Sequence, residues 1–332
     1  GHDATVAFQA LVRGALGSPT AVLSVTLVRT VPLLLAGLAV ALAFRAGIWN
    51  IGAEGQLYAG AAAAVWFGLA VGGWGWPAGL AAPGALLAAG LAGAAWAAVP
   101  AWMRLRLGIG EVITTLLMNF VAIHLASWLV HGPLQESRGV FPQTDPIAVT
   151  ARLPILISGT RLHWGFVLAL VTAVIVWGAL RFTRPGFMVR ALGGSLSVAQ
   201  VSGRVPVTRT LAGVFLLSGL LAGMAGGVEI TGVTHALYEN LSPGHGYTAI
   251  AVALLAGLHP LGVIATAFLF GVLEAGASAM QRSAGVPAAW VGGVQALVIL
   301  SVLAVDRGVR KATALQSWGL RDDASNEGGK DD

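Results

Sequence analysis

Four carboxylates, Glu54, Glu111, Glu229 and Glu274, stand within or at the ends of apolar stretches of the sequence, with Asn50, Gln56, Asn119 and Gln295 as uncharged polar companions. A carboxylate at the centre of a bilayer helix costs about 2.5 to 3.5 kcal/mol on insertion scales, so each of these asks for a compensating role. The densest group is Arg45-Ala46-Gly47-Ile48-Trp49-Asn50-Ile51-Gly52-Ala53-Glu54-Gly55-Gln56. Gly47, Gly52 and Gly55 interrupt a helix there and free backbone N–H and C=O groups, beside which Asn50, Glu54 and Gln56 offer both donors and acceptors. That inventory suits a neutral solute rich in hydroxyls and amide-like edges. The alternative is a wetted turn between two spans. Glu111, Thr114, Thr115 and Asn119 recur at helical spacing and form one stripe, which either faces a pore or ties neighbouring helices together. Glu229 and Glu274 are single residues for which interhelical pairing is the simpler role, and Glu229 joins the pathway candidates.

Other chemistries fail on residue type. Phosphate-loop ATPases need Gly-x-x-x-x-Gly-Lys followed by Ser or Thr, and the lysines here, Lys311 and Lys330, lack that setting. Neither a His-Glu-x-x-His helix nor a Gly-x-Ser-x-Gly elbow occurs. With no cysteine and with 7 histidines that are not spaced as ligands, neither a metal site nor a catalytic residue is expected.

The elements that must hold these residues are long apolar runs. Hydrophobic residues make up 56% of the chain and charged ones only 10%, against about a quarter charged in soluble domains, so lipid rather than water is the expected solvent. Runs of the roughly 20 residues that a bilayer requires fall at 28–48, 56–71, 78–103, 111–131, 163–181, 211–235, 261–281 and 287–305. A ninth, Tyr247 to Leu258, is too short for a full helix and reads as a short span or a re-entrant half-helix turning back at His259-Pro260. The fold class is therefore an all-α, polytopic transmembrane bundle. Its expected division is an extracytoplasmic segment 1–28 with an upstream helix missing, a membrane domain 29–305, and a disordered cytoplasmic tail 306–332.

Arginine and lysine set the orientation. With the carboxy terminus inside, 13 of the 19 basic residues collect on one side, Arg45, Arg104, Arg106, Arg181, Arg184, Arg190, Arg204 and Arg209 among them. The net charge of +5 then orients the protein in a plasma membrane and does not imply nucleic acid. Two connections are long: 132–162, with four prolines, on the outside, and 182–210, basic and glycine-interrupted, on the inside. Tryptophans 66, 74, 76, 128, 164 and 290 stand near span ends, at headgroup depth.

Four ordered blocks carry a family resemblance. Arg45, Gly47, Asn50, Ile51, Gly52, Glu54, Gly55 and Gln56 fit the R-x-G-x-x-N-I-G-x-E-G-Q segment of nucleoside-type permeases in the branched permease family of ABC importers. Glu111 to Phe120, Ser218 to Gly232 and Gly246 to Gly257 resemble that family's later blocks in the same order. The resemblance spans about Arg29 to Val305 and implies a type II importer fold. It also implies a substrate pathway near Asn50, Glu54, Gln56, Glu111, Asn119 and Glu229.

The same resemblance implies a cytoplasmic ATPase-coupling loop carrying Arg184, Arg190, Gly193, Gly203 and Arg204. That loop departs from the family's R-A-x-G-x-N-P-x-A-A-x-Y-A-G pattern, since the Asn and Tyr are lost over Arg190–Ser195 and Ala199–Gly203. The implied partners are a cytoplasmic ABC ATPase, a second and non-identical permease subunit and an external substrate-binding lipoprotein. No cofactor belongs to this chain, and ATP is used by the ATPase. A sugar permease of the same architecture, or an ion-coupled carrier relaying protons through the four glutamates, are the rival expectations.

Overall fold

In a computed structural model of the chain, residues 4–73, 76–201, 203 and 205–285 are described, with isolated positions 290, 292–293, 296–297 and 301 beyond them. The expected span 287–305 and the tail 306–332 fall almost wholly outside the described residues, as do Trp74, Arg204 and Gln295. The described residues form a helical bundle: α1 (Ala4–Leu16), α2 (Pro19–Arg45), α3 (Ala53–Ala70), α4 (Ala78–Leu107), α5 (Glu111–His131), α6 (Gly165–Phe182), α7 (Arg184–Gly194), α8 (Leu196–Val201), α9 (Val207–Thr234), α10 (His245–Leu255) and α11 (Pro260–Ala284). Six of these, α2, α4, α5, α6, α9 and α11, are long and apolar enough to cross a membrane, and the chain is a multi-pass membrane protein.

The first long helix starts at Pro19, not at Val28. Ser18 caps it by accepting from Ala21 N at 3.0 Å. A π-helical turn over Val22–Thr26 follows, where Thr26 Oγ1 donates to Ala15 O at 2.7 Å and so ties the helix to the end of α1. A second π turn, Ile230–Thr234, closes α9. Such turns mark places where a helix is re-aimed, and both border the polar cavity described below.

Glycine sets the closeness of the central packing. A Cβ placed on Gly60 would overlap the carbonyl of Gly223, one on Gly93 the carbonyl of Gly219, and one on Gly226 the carbonyl of Leu57. Helices α3, α4 and α9 thus meet backbone to backbone, a contact that apolar lipid tails cannot rival and that larger side chains forbid. The outward faces are different. Leu87, Leu91, Leu117, Val121, Val174 and Ile175 are exposed, as a surface solvated by acyl chains requires. Trp66, Trp76, Trp128 and Trp164 are exposed as well, in keeping with interfacial anchoring.

Two ends of the bundle can be told apart. One carries Arg45, the Arg104–Glu111 ion pair and the start of α11, where Arg45 Nη1 donates to Leu258 O at 3.0 Å. At the other end the connection 132–162 folds back over the bundle. Its backbone lies along α9's exit, with Leu153 N donating to Thr231 O, Ile147 N to His235 O and Thr144 N to Leu237 O, each at 2.8 Å. The long basic connection 182–210 is not a loop but mostly the helices α7 and α8. Thr183 caps α7 by accepting from Gly186 N at 3.2 Å, and a Cβ on Gly193 would overlap Arg45 O, so α7 is seated against the end of α2.

Candidate functional site

The glycine-broken segment after α2 re-enters the bundle. Gly47, at φ +76°, turns the chain, and residues 48–52 run inward beside α5 until α3 starts at Ala53. Trp49 N donates to Glu111 Oε1 at 3.3 Å, Ile51 N to Thr115 Oγ1 at 3.3 Å, and Gly55 N to Asn119 Oδ1 at 2.8 Å; Asn119 Nδ2 returns to Ile51 O at 2.9 Å. From Glu111 to Asn119 is eight helical steps, about 12 Å of depth. The segment is therefore an inserted break, not a wetted turn: Asn50, Glu54 and Gln56 are all buried.

Within it, the amides of Asn50 and Gln56 pair reciprocally at 3.2 and 3.1 Å, and Asn50 Nδ2 also donates to Ser218 Oγ at 2.9 Å. Ser218 Oγ passes its own proton to Ala39 O at 2.8 Å, so α2, the break and α9 are stitched together. A filled network of this kind fixes geometry and leaves little for a solute. Asn50→Ala strands the Gln56 amide and Gly52 N, a loss of about 1 to 3 kcal/mol, and is expected to lower the thermal unfolding midpoint of the detergent-solubilised protein.

Glu54 stands one layer further in. It lies in the first turn of α3, and its Oε2 accepts from Gly246 N, in the first turn of α10, at 2.6 Å. A Cβ on Gly246 would overlap the Glu54 backbone, so the starts of the two helices touch. Helix N-termini carry unsatisfied N–H groups and a partial positive charge, so the Glu54 carboxylate satisfies an N–H at the start of α10 while standing in the favourable field of α3's own first turn. Helix α10 has 11 residues, about 16 Å, half a bilayer. The non-helical residues 236–244 bring the chain in to its start, and Gly257 and Leu258, both at φ +58°, turn it out again at the arginine-bearing end. Thus the stretch expected as Tyr247–Leu258 is a half-length helix preceded by an inward non-helical run, and His259 caps the helix that follows.

Beside this junction, toward the end covered by 132–162, lies a cavity of about 520 Å³ whose lining includes Arg29, Gln143, Arg161, Glu229, Tyr238 and His245. Of the sequence candidates, only Glu229 lines it, and its carboxylate has no hydrogen-bond partner among the described residues. Glu54 reaches the cavity only indirectly, through the 245–246 turn, while Asn50, Gln56, Glu111 and Asn119 belong to the network behind it. Glu274 pairs with His245, Nε2 to Oε2 at 3.3 Å, and its backbone carbonyl accepts from Arg29 Nη1 at 3.2 Å.

Arg29, Arg161, Gln143, Tyr238 and His245 were not singled out by sequence reasoning. Arg29 carried the one available signal, a charge just inside the first apolar run. The others sit in the connection 132–162 and in the run 236–245, whose approach to Glu229 is purely tertiary. Gln143 and Tyr238 form an antiparallel bridge over the cavity. Outside the spans, the Ser137 hydroxyl and backbone N–H donate to Asp145 and hold its carboxyl below the usual range.

His163 anchors the same end. It is buried against Gly165 and Gly232, at both of which a Cβ would strike the ring, and its Nδ1 accepts from Gly165 N at 3.2 Å. Burial, with His235 and Arg161 nearby, holds its pKa down at about 4 against 6.5. A ring kept neutral when folded but able to protonate when unfolded destabilises the fold as pH falls below 6.5, by up to about 1.4 kcal/mol per pH unit until about 4. Unfolding midpoints measured between pH 7.5 and 5 should therefore fall, and His163→Asn should flatten the acid side of that profile.

A family model described as the branched-chain amino acid transport system / permease component matches residues 22–303. The chain belongs to this permease family. The permease is 40% identical over 291 residues to a glucose ABC transporter permease protein of Haloferax volcanii, covering 85% of this chain and 76% of that one. It is 38% identical over 283 residues to a guanosine ABC transporter permease protein of Bacillus subtilis, with 83% and 79% covered. A nucleoside ABC transporter permease protein of Lactococcus lactis is 30% identical over 313 residues, with 91% and 84% covered. No solved structure matched the permease. Permeases of this kind are transport subunits that work with an ATPase and a substrate-binding protein, so the resemblance drawn from residues 45–56 and the later blocks holds across the chain.

Proposed function

We propose that this permease is the membrane subunit of an ATP-driven importer that carries nucleosides through the plasma membrane, by way of the cavity beside Glu229. The observation that carries the reading is the junction of two buried helix starts at Glu54, with a polar cavity of about 520 Å³ against it. Cavities of roughly 300 to 1,000 Å³ accept small organic ligands. Discontinuous helices with their N-termini inside the bundle are a recurring way to present backbone groups to cargo. The groups at hand, Glu229 as acceptor, Gln143 and Tyr238 as both, Arg29 and Arg161 as donors, match ribose hydroxyls and base edges. The guanosine and nucleoside permeases among the relatives support the same solute class.

In this reading the arginine-bearing end and the carboxy terminus are cytoplasmic. The basic connection 182–210, with Arg184, Arg190 and Gly193 on α7 and Gly203 and Arg204 later in sequence, meets a cytoplasmic ABC ATPase. Gly193 packs on the end of α2, so a push on α7 reaches Arg45 and the break beyond it, and through that break Glu54. An external lipoprotein delivers the solute at the end covered by 132–162, and a non-identical permease subunit completes the pathway. This chain binds no cofactor.

A sugar is the second reading, favoured by the Haloferax relative. Uptake of labelled guanosine, uridine and glucose in cells carrying the complete system separates the two. Saturable nucleoside uptake that unlabelled glucose leaves untouched is expected; glucose uptake without nucleoside uptake overturns the substrate. Transport by this chain alone in liposomes under a pH gradient would instead make it an ion-coupled carrier.

A further inference from the structure

The arginine-bearing end holds a second polar cavity, to which the transport reading assigns no ligand. It measures about 260 Å³ and is lined by Arg45, Arg181, Arg190, His259, Trp177 and Pro260 among others. Three guanidinium groups face one small space, and among the described residues no carboxylate lines it. Like charges gathered this way repel, and a buried donor left unpaired carries its full desolvation penalty. Arg190 Nη1 is such a donor, buried and without a partner among the described residues, whereas Arg45 spends one N–H on Leu258 O at 3.0 Å and keeps others. Orientation in the membrane explains why arginines stand at span ends, but not why three of them converge on one cavity from the ends of α2 and α6 and from α7.

We propose that this cavity binds a phosphate group, that of an anionic phospholipid seated at the headgroup boundary. Guanidinium forks match phosphate oxygens in pairs, which a lone ammonium cannot do. The cavity lies where α6 ends, and that helix exposes Val171, Val174, Ile175 and Phe182, so the site adjoins a surface that acyl chains cover. Trp177, part of the lining, stands edge-on to Phe182 at 5.5 Å between ring centroids, an aromatic pair of the kind found at headgroup depth. Basic pockets between membrane helices at the cytoplasmic side hold acidic headgroups by this chemistry. The α11 N-terminus, beginning at Pro260 in the lining, adds its partial positive charge.

The test uses the purified full-length chain, delipidated in mild detergent. Phosphatidylglycerol, phosphatidylcholine and inorganic phosphate are added separately, with thermal unfolding and native mass spectrometry as readouts. Phosphatidylglycerol is expected to bind saturably and raise the unfolding midpoint, with phosphatidylcholine inert and the double variant Arg181→Gln/Arg190→Gln holding at least about tenfold less lipid. Stabilisation by inorganic phosphate alone, lost in the same variant, would uphold the phosphate site with free phosphate as its occupant. Arg190→Lys keeps the charge and loses the fork, so it should weaken retention about threefold even if the double variant folds poorly. Arg106→Gln, at the same end but on the exposed last turn of α4, should retain lipid fully. Equal binding of phosphatidylcholine, or equal retention by the Arg190 and Arg106 variants, overturns the proposal.

Discussion

Glu54→Ala is expected to reduce solute uptake by about tenfold or more while leaving most of the protein folded and membrane-inserted. The carboxylate joins two helix starts, accepting from Gly246 N of α10 at 2.6 Å while standing in the first turn of α3. Without it, the start of α10 loses its partner, and the turn at Ser242–His245, held by Ser242 Oγ at 3.1 and 2.9 Å and by the Tyr58 hydroxyl at 3.2 Å, loses its inner support. His245 lines the cavity, so the damage falls on the solute site first. Glu54→Gln retains an acceptor oxygen without the charge and should sit between the two, which separates the hydrogen bond from the electrostatic contribution. Uptake assayed alongside the amount of folded protein in the membrane checks this. Wild-type transport in Glu54→Ala removes the junction from the mechanism.

Gly223→Val should be the more drastic change, because it attacks assembly itself. Gly223 is shared: its carbonyl crowds Gly60 of α3, while a Cβ of its own would overlap Ala89 O on α4. Overpacking a core with side chains that can repack costs about 1 to 3 kcal/mol, but here the obstacles are backbone atoms, which cannot turn aside. The expected outcome is loss of a monodisperse species after detergent extraction. Gly194→Ala, where a Cβ meets nothing within 4 Å, should behave as wild type. A Gly223→Val protein of normal yield and elution would show that α3, α4 and α9 are not packed this closely.

Much of the architecture could be read from the chain alone. Six apolar runs recur as long helices, and a helix ending at Arg45 and one opening at Glu111 follow from where charge interrupts hydrophobicity. The break at Gly47–Gln56 was visible because three glycines and three polar side chains rarely coincide inside an apolar run. The depth of that break was not visible. A wetted turn and an inserted loop have the same composition, and only the partners Thr115, Asn119 and Ser218, between 64 and 168 residues away, show that it is sealed inside the protein.

The sequence by itself determined that this chain is solvated by lipid, that it is helical, and which end carries the arginines, because these depend on composition and on local periodicity. The tertiary structure decided which polar residues meet a cavity. Arg29, Gln143, Arg161, Glu229 and Tyr238 come from four separate parts of the chain, and Asn50, Gln56 and Asn119, the most conspicuous in sequence, instead brace the helices behind them. An intramembrane polar group lowers its burial penalty equally well against a neighbouring helix or against a solute, and residue type alone does not distinguish the two.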